Sequence, residues 1–89
     1  MMGQDLNTML DLILEKYPDE EILKADGLDK AILGIEENSM KLIYSTKGCI
    51  DILRGEGLSD EEALEHFYFN IEGAYVGEKT PIWCNDFTY

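Results

Sequence analysis

The sequence predicts a small α+β domain in which a three-stranded antiparallel sheet packs against about three helices, in the order α-β-β-α-α-β. Three observations carry that expectation. Apolar residues recur at helical spacing near the N-terminus. Two short apolar runs flank a polar turn in the middle of the chain. A capping box then opens a second amphipathic stretch in the last third. At 89 residues the chain makes one domain, spanning residues 1–89. A chain of this size buries only about 60–65% of its unfolded surface, so the core is small.

The first helix is expected over residues 5–17. Leu6, Met9, Leu10, Ile13, Leu14 and Tyr17 form its apolar stripe, widened by Leu12, with Asp11, Glu15 and Lys16 on the other side. Asp5 or Asn7 can cap it. Pro18 ends it, because the residue before a proline is pushed out of the helical region. Asp19 to Leu28 reads either as a helical turn or as a short strand, and Asp26-Gly27 reads as a turn.

A hairpin is expected over residues 31–45. Ala31-Ile32-Leu33-Gly34-Ile35 and Met40-Lys41-Leu42-Ile43-Tyr44 are the strands, with Asn38-Ser39 at the turn. Gly34 inside the first strand predicts a bulge or a close backbone approach. Ser45 or Thr46 caps a second helix running to about Arg54, with Cys49, Ile50, Ile52 and Leu53 inward and Gly55-Glu56-Gly57 as its stop. Ser59-Asp60-Glu61-Glu62 is the capping box, and three acids in that first turn suit the helix dipole. The helix that follows is expected to bury Ala63, Leu64, Phe67, Tyr68 and Ile71 and to stop at Gly73. Pro81-Ile82-Trp83-Cys84 is the third strand, with proline at its first position or on an edge.

Composition narrows the function. Net charge is −12, from 19 acids and 7 bases, while 45% of the residues are apolar. That apolar content excludes a disordered chain, which needs low hydrophobicity as well as high charge. The acidity is even along the chain, with ten acids against four bases up to Ser45 and nine against three after it. It therefore belongs to the folded surface. Such a field opposes direct binding to nucleic acid or to an anionic membrane and steers the protein toward a basic partner. No apolar run approaches the ~18 residues of a membrane span, and no basic region precedes an apolar run at the N-terminus. The expected location is the cytoplasm. There, Cys49 and Cys84, with no C-x-x-C pair, read as small buried hydrophobes.

No catalytic, metal or cofactor signature stands out. His66, between Glu65 and Phe67, reads as a surface or half-buried helix histidine in contact with Glu62. As a catalytic group it would need a partner from elsewhere in the fold; a Cys-His-Asn set with Cys49 or Cys84 and Asn70 is the boldest form of that idea. The acids at Asp60, Glu61, Glu62, Glu65 and Glu72 lack the calcium-loop spacing and read as a solvated face. Gly55-Glu56-Gly57 lacks the Gly-Lys-Ser of a phosphate loop. No cofactor is expected, and no metal. Tyr75, Trp83, Phe87 and Tyr89 concentrate aromatics near the C-terminus, either closing the core or forming a patch for a partner, and the tail Asn85 to Tyr89 is expected to be docked.

From Asp26 to Trp83 the chain resembles a group of small proteins encoded by tailed bacteriophages. The matching pieces are Asp26-Gly27-Leu28-Asp29-Lys30-Ala31-Ile32-Leu33-Gly34-Ile35-Glu36, Ile43-Tyr44-Ser45, Cys49-Ile50-Asp51-Ile52-Leu53, Glu61-Glu62-Ala63, Phe69-Asn70, Gly73-Ala74-Tyr75-Val76-Gly77-Glu78 and Thr80-Pro81-Ile82. The resemblance covers about two-thirds of the chain and excludes the first helix. It implies a phage gene product acting in an infected bacterial cell and supplies no catalytic residues.

Together these readings point to a non-enzymatic phage accessory protein that binds a host macromolecule, with a host protein as the expected partner and inhibition of a host defence or regulatory factor as one form that binding can take. A small-ligand binder for a nucleotide signal and an acidic DNA mimic are the alternatives. A nucleotide would require Lys41, Lys47, Arg54 or Lys79 to converge. The residues expected to form the binding surface are Asp26, Gly27, Asn70, Tyr75, Gly77, Glu78 and Thr80, since loops carry binding more often than element interiors do. A homodimer is compatible with the small core and the apolar tail.

Overall fold

The computed structural model describes residues 9–74 and 77–86. Helix α1 runs Met9–Lys16, strand β1 Ile32–Glu36, β2 Lys41–Ser45, helix α2 Thr46–Gly55, α3 Asp60–His66 and β3 Ile82–Cys84. A single 3₁₀ turn, Asp29–Ala31, precedes β1, and a π-helical segment, Phe67–Glu72, continues α3. The α+β class and the three-stranded sheet are as the sequence predicts.

Strand pairing is the main correction. The sheet order is β1-β2-β3, with β1 antiparallel to β2 but β2 parallel to β3. The sheet is mixed rather than wholly antiparallel. The physical reason lies in the connections. A tight turn forces antiparallel pairing between β1 and β2, whereas β2 reaches β3 through a helical crossover, the connection that parallel strands need. Trp83 pairs with Tyr44 and Ile82 with Ile43, so Trp83 and Tyr44 share a face.

The hairpin forms where its residues allow. The Glu36 carboxylate accepts from the Asn38 amide at 3.1 Å and from the Ser39 amide and hydroxyl at 2.9 and 2.7 Å, and Met40 takes the left-handed conformation at φ 56°. The register shifts between Ile32 and Gly34, the expected bulge, which leaves Leu33 exposed.

α1 stops at Lys16, before Pro18, and buries Leu10 and Ile13, whereas Met9, Leu12 and Leu14 remain exposed. Its expected beginning, with Leu6, Asp5 and Asn7, lies outside the described residues. α2 is capped by Ser45, whose hydroxyl accepts from the Gly48 amide at 2.8 Å. A side chain at Gly48 would bring its Cβ to 3.1 Å from both Ala31 Cβ and Ser45 Oγ, so any larger residue would press α2 and the 3₁₀ turn apart by a few tenths of an ångström. The capping box of α3 is present in both directions: the Ser59 amide donates to Glu62 at 2.9 Å, and the Glu62 amide to Ser59 Oγ at 3.1 Å.

The helix expected to run regularly to Gly73 changes geometry at Phe67. The wider π turn keeps Phe67 fully buried but swings Tyr68 out of the core, to 40% exposure, and Phe69 to 79%. Leu64 and Ile71 pack against the core only in part.

The core gathers Leu10, Ile13, Leu28, Ile32, Leu42, Tyr44, Cys49, Ile50, Leu53, Ala63 and Phe67 into one cluster. The Asp86 carboxylate closes the domain over the start of α2, accepting from the Ser45 hydroxyl and from the Lys47 amide at 2.9 Å. Phe87 to Tyr89 lie outside the described residues; the described part of the tail is docked.

Two predictions follow from this packing. Phe67→Ala removes a fully buried ring and should lower unfolding free energy by about 3–5 kcal/mol in urea denaturation. The second concerns acid stability. The Ser45 hydroxyl, then the Lys47 amide, hold the Asp86 carboxyl below the ordinary aspartate range. A depressed native value means the stabilisation is complete above the unfolded value and is lost as pH falls through the native one. The melting temperature should therefore drop on acidification below about pH 4, and less steeply in Asp86→Asn.

Candidate functional site

Tyr44 organises the site. Its ring is fully buried in the central strand and lies 5.1 Å from the Trp83 ring. Trp83 in turn meets Phe67 edge-on at 5.4 Å. The Tyr44 hydroxyl accepts the Ala25 amide at 2.8 Å, pinning the irregular segment 18–28 to the sheet. Burial pushes the Tyr44 hydroxyl above its ordinary value, so it stays protonated. Just past the pinned amide, Gly27 adopts φ 83°, a left-handed turn that glycine accommodates without strain. Leu28 then re-enters the core.

Between this pinned segment, the end of α2, the π segment and β3 lies a cleft of about 420 Å³. Leu28, Leu53, Ile71, Pro81 and Trp83 supply its apolar wall, and Lys24, Asp26, Glu56, His66 and Asn70 its polar groups. Asn70 sits one turn beyond His66, with its amide nitrogen 3.4 Å from His66 Nδ1. The expected Glu62 contact does not form, because Glu62 is held by Ser59. Lys24 reaches Asp29 at 3.3 Å. The Trp83 indole Nε1 is buried without a hydrogen-bond partner among the described residues.

Of the residues singled out in the sequence, Asp26, Gly27 and Asn70 line this cleft together. Gly77, Glu78 and Thr80 stand elsewhere, in a turn in which the Thr80 amide and hydroxyl both donate to the Gly77 carbonyl, at 3.1 and 2.6 Å. Lys79 fastens that turn to the hairpin by donating to the Ser39 carbonyl at 2.8 Å. Glu78 borders a shallower depression with Glu21, Ile22 and Leu23, and Leu23 also borders the cleft. Tyr75 lies outside the described residues.

Sequence reasoning missed Leu53, Glu56, Ile71 and Trp83 as parts of the site. Asn70 and Ile71, with His66 one turn before and Ala74 after, carried the only readable signal: a polar and an apolar pair repeating once per helical turn.

The nucleophilic reading loses Cys49. It is fully buried, and desolvation, then the Asp86 charge, push its thiol up to about 12. A thiol held there is protonated at physiological pH and unreactive. Among the described residues no group of three or more His, Cys, Asp and Glu is placed to hold a metal ion. No helix among them is long and apolar enough to cross a membrane. No family model matches the chain, and no curated protein or solved structure shows significant similarity to it.

The tyrosine hydroxyl makes a testable contribution. Tyr44→Phe keeps the ring but leaves the Ala25 amide without its acceptor, which should cost about 1–3 kcal/mol. Hydrogen exchange should quicken most over residues 23–28. An unchanged exchange rate there would mean that the pinning is unimportant.

Proposed function

We propose that this chain is a non-catalytic phage accessory protein that binds a host protein in the cytoplasm of the infected cell, through the cleft between residues 23–28 and the π segment. One observation carries this reading. Asp26 and Gly27, from the loop before β1, and Asn70, from the π segment, meet on one partly apolar concavity. Close beside them in sequence stands Phe69, 79% exposed, an aromatic of the kind that anchors protein interfaces. π-helical turns also recur at functional sites.

Inhibition by occupancy fits such a surface, because it asks for shape and charge rather than for a reacting group. A nucleotide ligand is disfavoured by charge. Lys41, Lys47, Arg54 and Lys79 do not line the cleft, and the lysine that does, Lys24, is paired with Asp29.

The test is affinity capture from host lysate with three tagged proteins: wild type, Asn70→Arg, and Glu15→Arg on the exposed side of α1. A partner retained by wild type and Glu15→Arg should be lost by more than about tenfold with Asn70→Arg, whose melting curve should match wild type. Equal recovery by all three would remove the cleft from the binding surface.

A further inference from the structure

The cleft joins two features that seldom suit the same occupant. Its wall is apolar, from Leu53, Ile71, Pro81 and Trp83, while the exposed carboxylates of Asp26 and Glu56 stand at its rim. Against these acids the cleft brings one lysine, Lys24, whose ammonium group is already 3.3 Å from Asp29. The local charge is therefore negative, inside a molecule whose net charge is −12. An anionic or purely apolar occupant would desolvate these carboxylates without compensation. A polycation without apolar surface would leave the wall unused.

Arginine and lysine side chains satisfy both halves. Their aliphatic stems cover apolar surface while the charged head stays at the rim. Arginine adds a planar fork of donors that matches carboxylate oxygens. The π segment completes the fit, because it places Asn70, a neutral polar group, beside Ile71 on the same lining.

We infer that the cleft takes a basic segment of the partner protein, an arginine or lysine flanked by apolar residues, with its cationic head between Asp26 and Glu56 and its stem against Leu53 and Ile71. This rests on the docking function proposed above and specifies the chemistry of the partner. The molecular field draws such a segment in, and the apolar wall holds it.

The experiment is an amide NMR titration of the full chain with an acetylated, amidated heptapeptide alternating arginine and leucine. Shifts should concentrate on Asp26, Gly27, Glu56 and Asn70 and weaken with added salt. Asp26→Lys combined with Glu56→Lys should lower affinity by more than about tenfold, with an otherwise superimposable spectrum; both side chains are exposed, so the fold is not at stake.

Three control ligands separate the outcomes. A peptide with glutamate in place of arginine should not bind; if it binds equally, the cleft remains a docking site and the cationic preference is wrong. A peptide with serine in place of leucine, and spermine, should each bind more weakly; equal binding would reduce the effect to general attraction by an acidic surface and overturn the inference. Shifts spread over Asp60, Glu61 and Glu65, or none at about 1 mM peptide, would overturn it as well. Cleft-specific binding of the arginine peptide, with partner capture unaffected by Asn70→Arg, would establish the chemical preference of the cleft but refute the proposed docking function, and with it the assignment of that segment to the partner protein.

Discussion

The buried ring of Tyr44 is the constraint on which the rest of the molecule turns. It sits near the end of the central strand with no solvent exposure, and its ring and hydroxyl meet different parts of the chain. The ring contacts Trp83 on β3, Trp83 contacts Phe67 at the start of the π segment, and the hydroxyl holds the Ala25 amide. Three of the walls of the cleft are thereby tied to one aromatic row. Such ring contacts contribute about 0.5–1.5 kcal/mol each beyond burial. They offset the buried Trp83 indole N–H, which has no partner among the described residues and costs about 1–3 kcal/mol. In a core of this size that balance is a sizeable share of total stability.

This arrangement also explains which parts of the fold were legible in the sequence. Interactions closing within a few residues could be read directly. The Ser59–Glu62 capping box, the Ser45 cap, the stop before Pro18 and the bulge at Gly34 each depend on a local pattern. The orientation of β3 was not legible, because no short turn joins it to β2 and pairing is decided by where a helical crossover delivers the chain. The π turn at Phe67 was not legible either. Phe67, Tyr68 and Ile71 have the spacing of an ordinary apolar stripe, yet the turn widens from Phe67 onward, with Phe67 buried against Trp83 and Tyr68 exposed.

The candidate site divides along the same line. Asp26-Gly27 declared a turn, and Asn70 stood near the end of a helix, so both could be found by asking which residues lie outside regular elements. Leu53 read as core, Trp83 as a strand residue that either closes the core or joins an aromatic patch, and Glu56 as part of a helix stop. Those readings are correct locally: Leu53 is buried, and the Glu56 amide caps the last carbonyls of α2. Their second role arises from packing between elements distant in sequence, which a residue-by-residue pattern does not contain.

Charge gives the site its character through what the rest of the surface does with its cations. Lys16 pairs with Glu37, Lys24 with Asp29, Lys47 with Asp51, and Arg54 with both Asp51 and Asp60. All of these pairs are exposed and contribute little stability. Their larger effect is to satisfy the bases locally, so that the excess acid elsewhere is uncompensated. Asp26 and Glu56 add to that field at the mouth of a cleft whose apolar wall lowers the local dielectric and reduces screening. A cationic side chain entering there gains more than it would at an open acidic surface, while an anion loses more. The distinction between a generally acidic protein and one with a place for a cation therefore lies in the apolar wall, in which Tyr44 and Phe67 hold Trp83 between them.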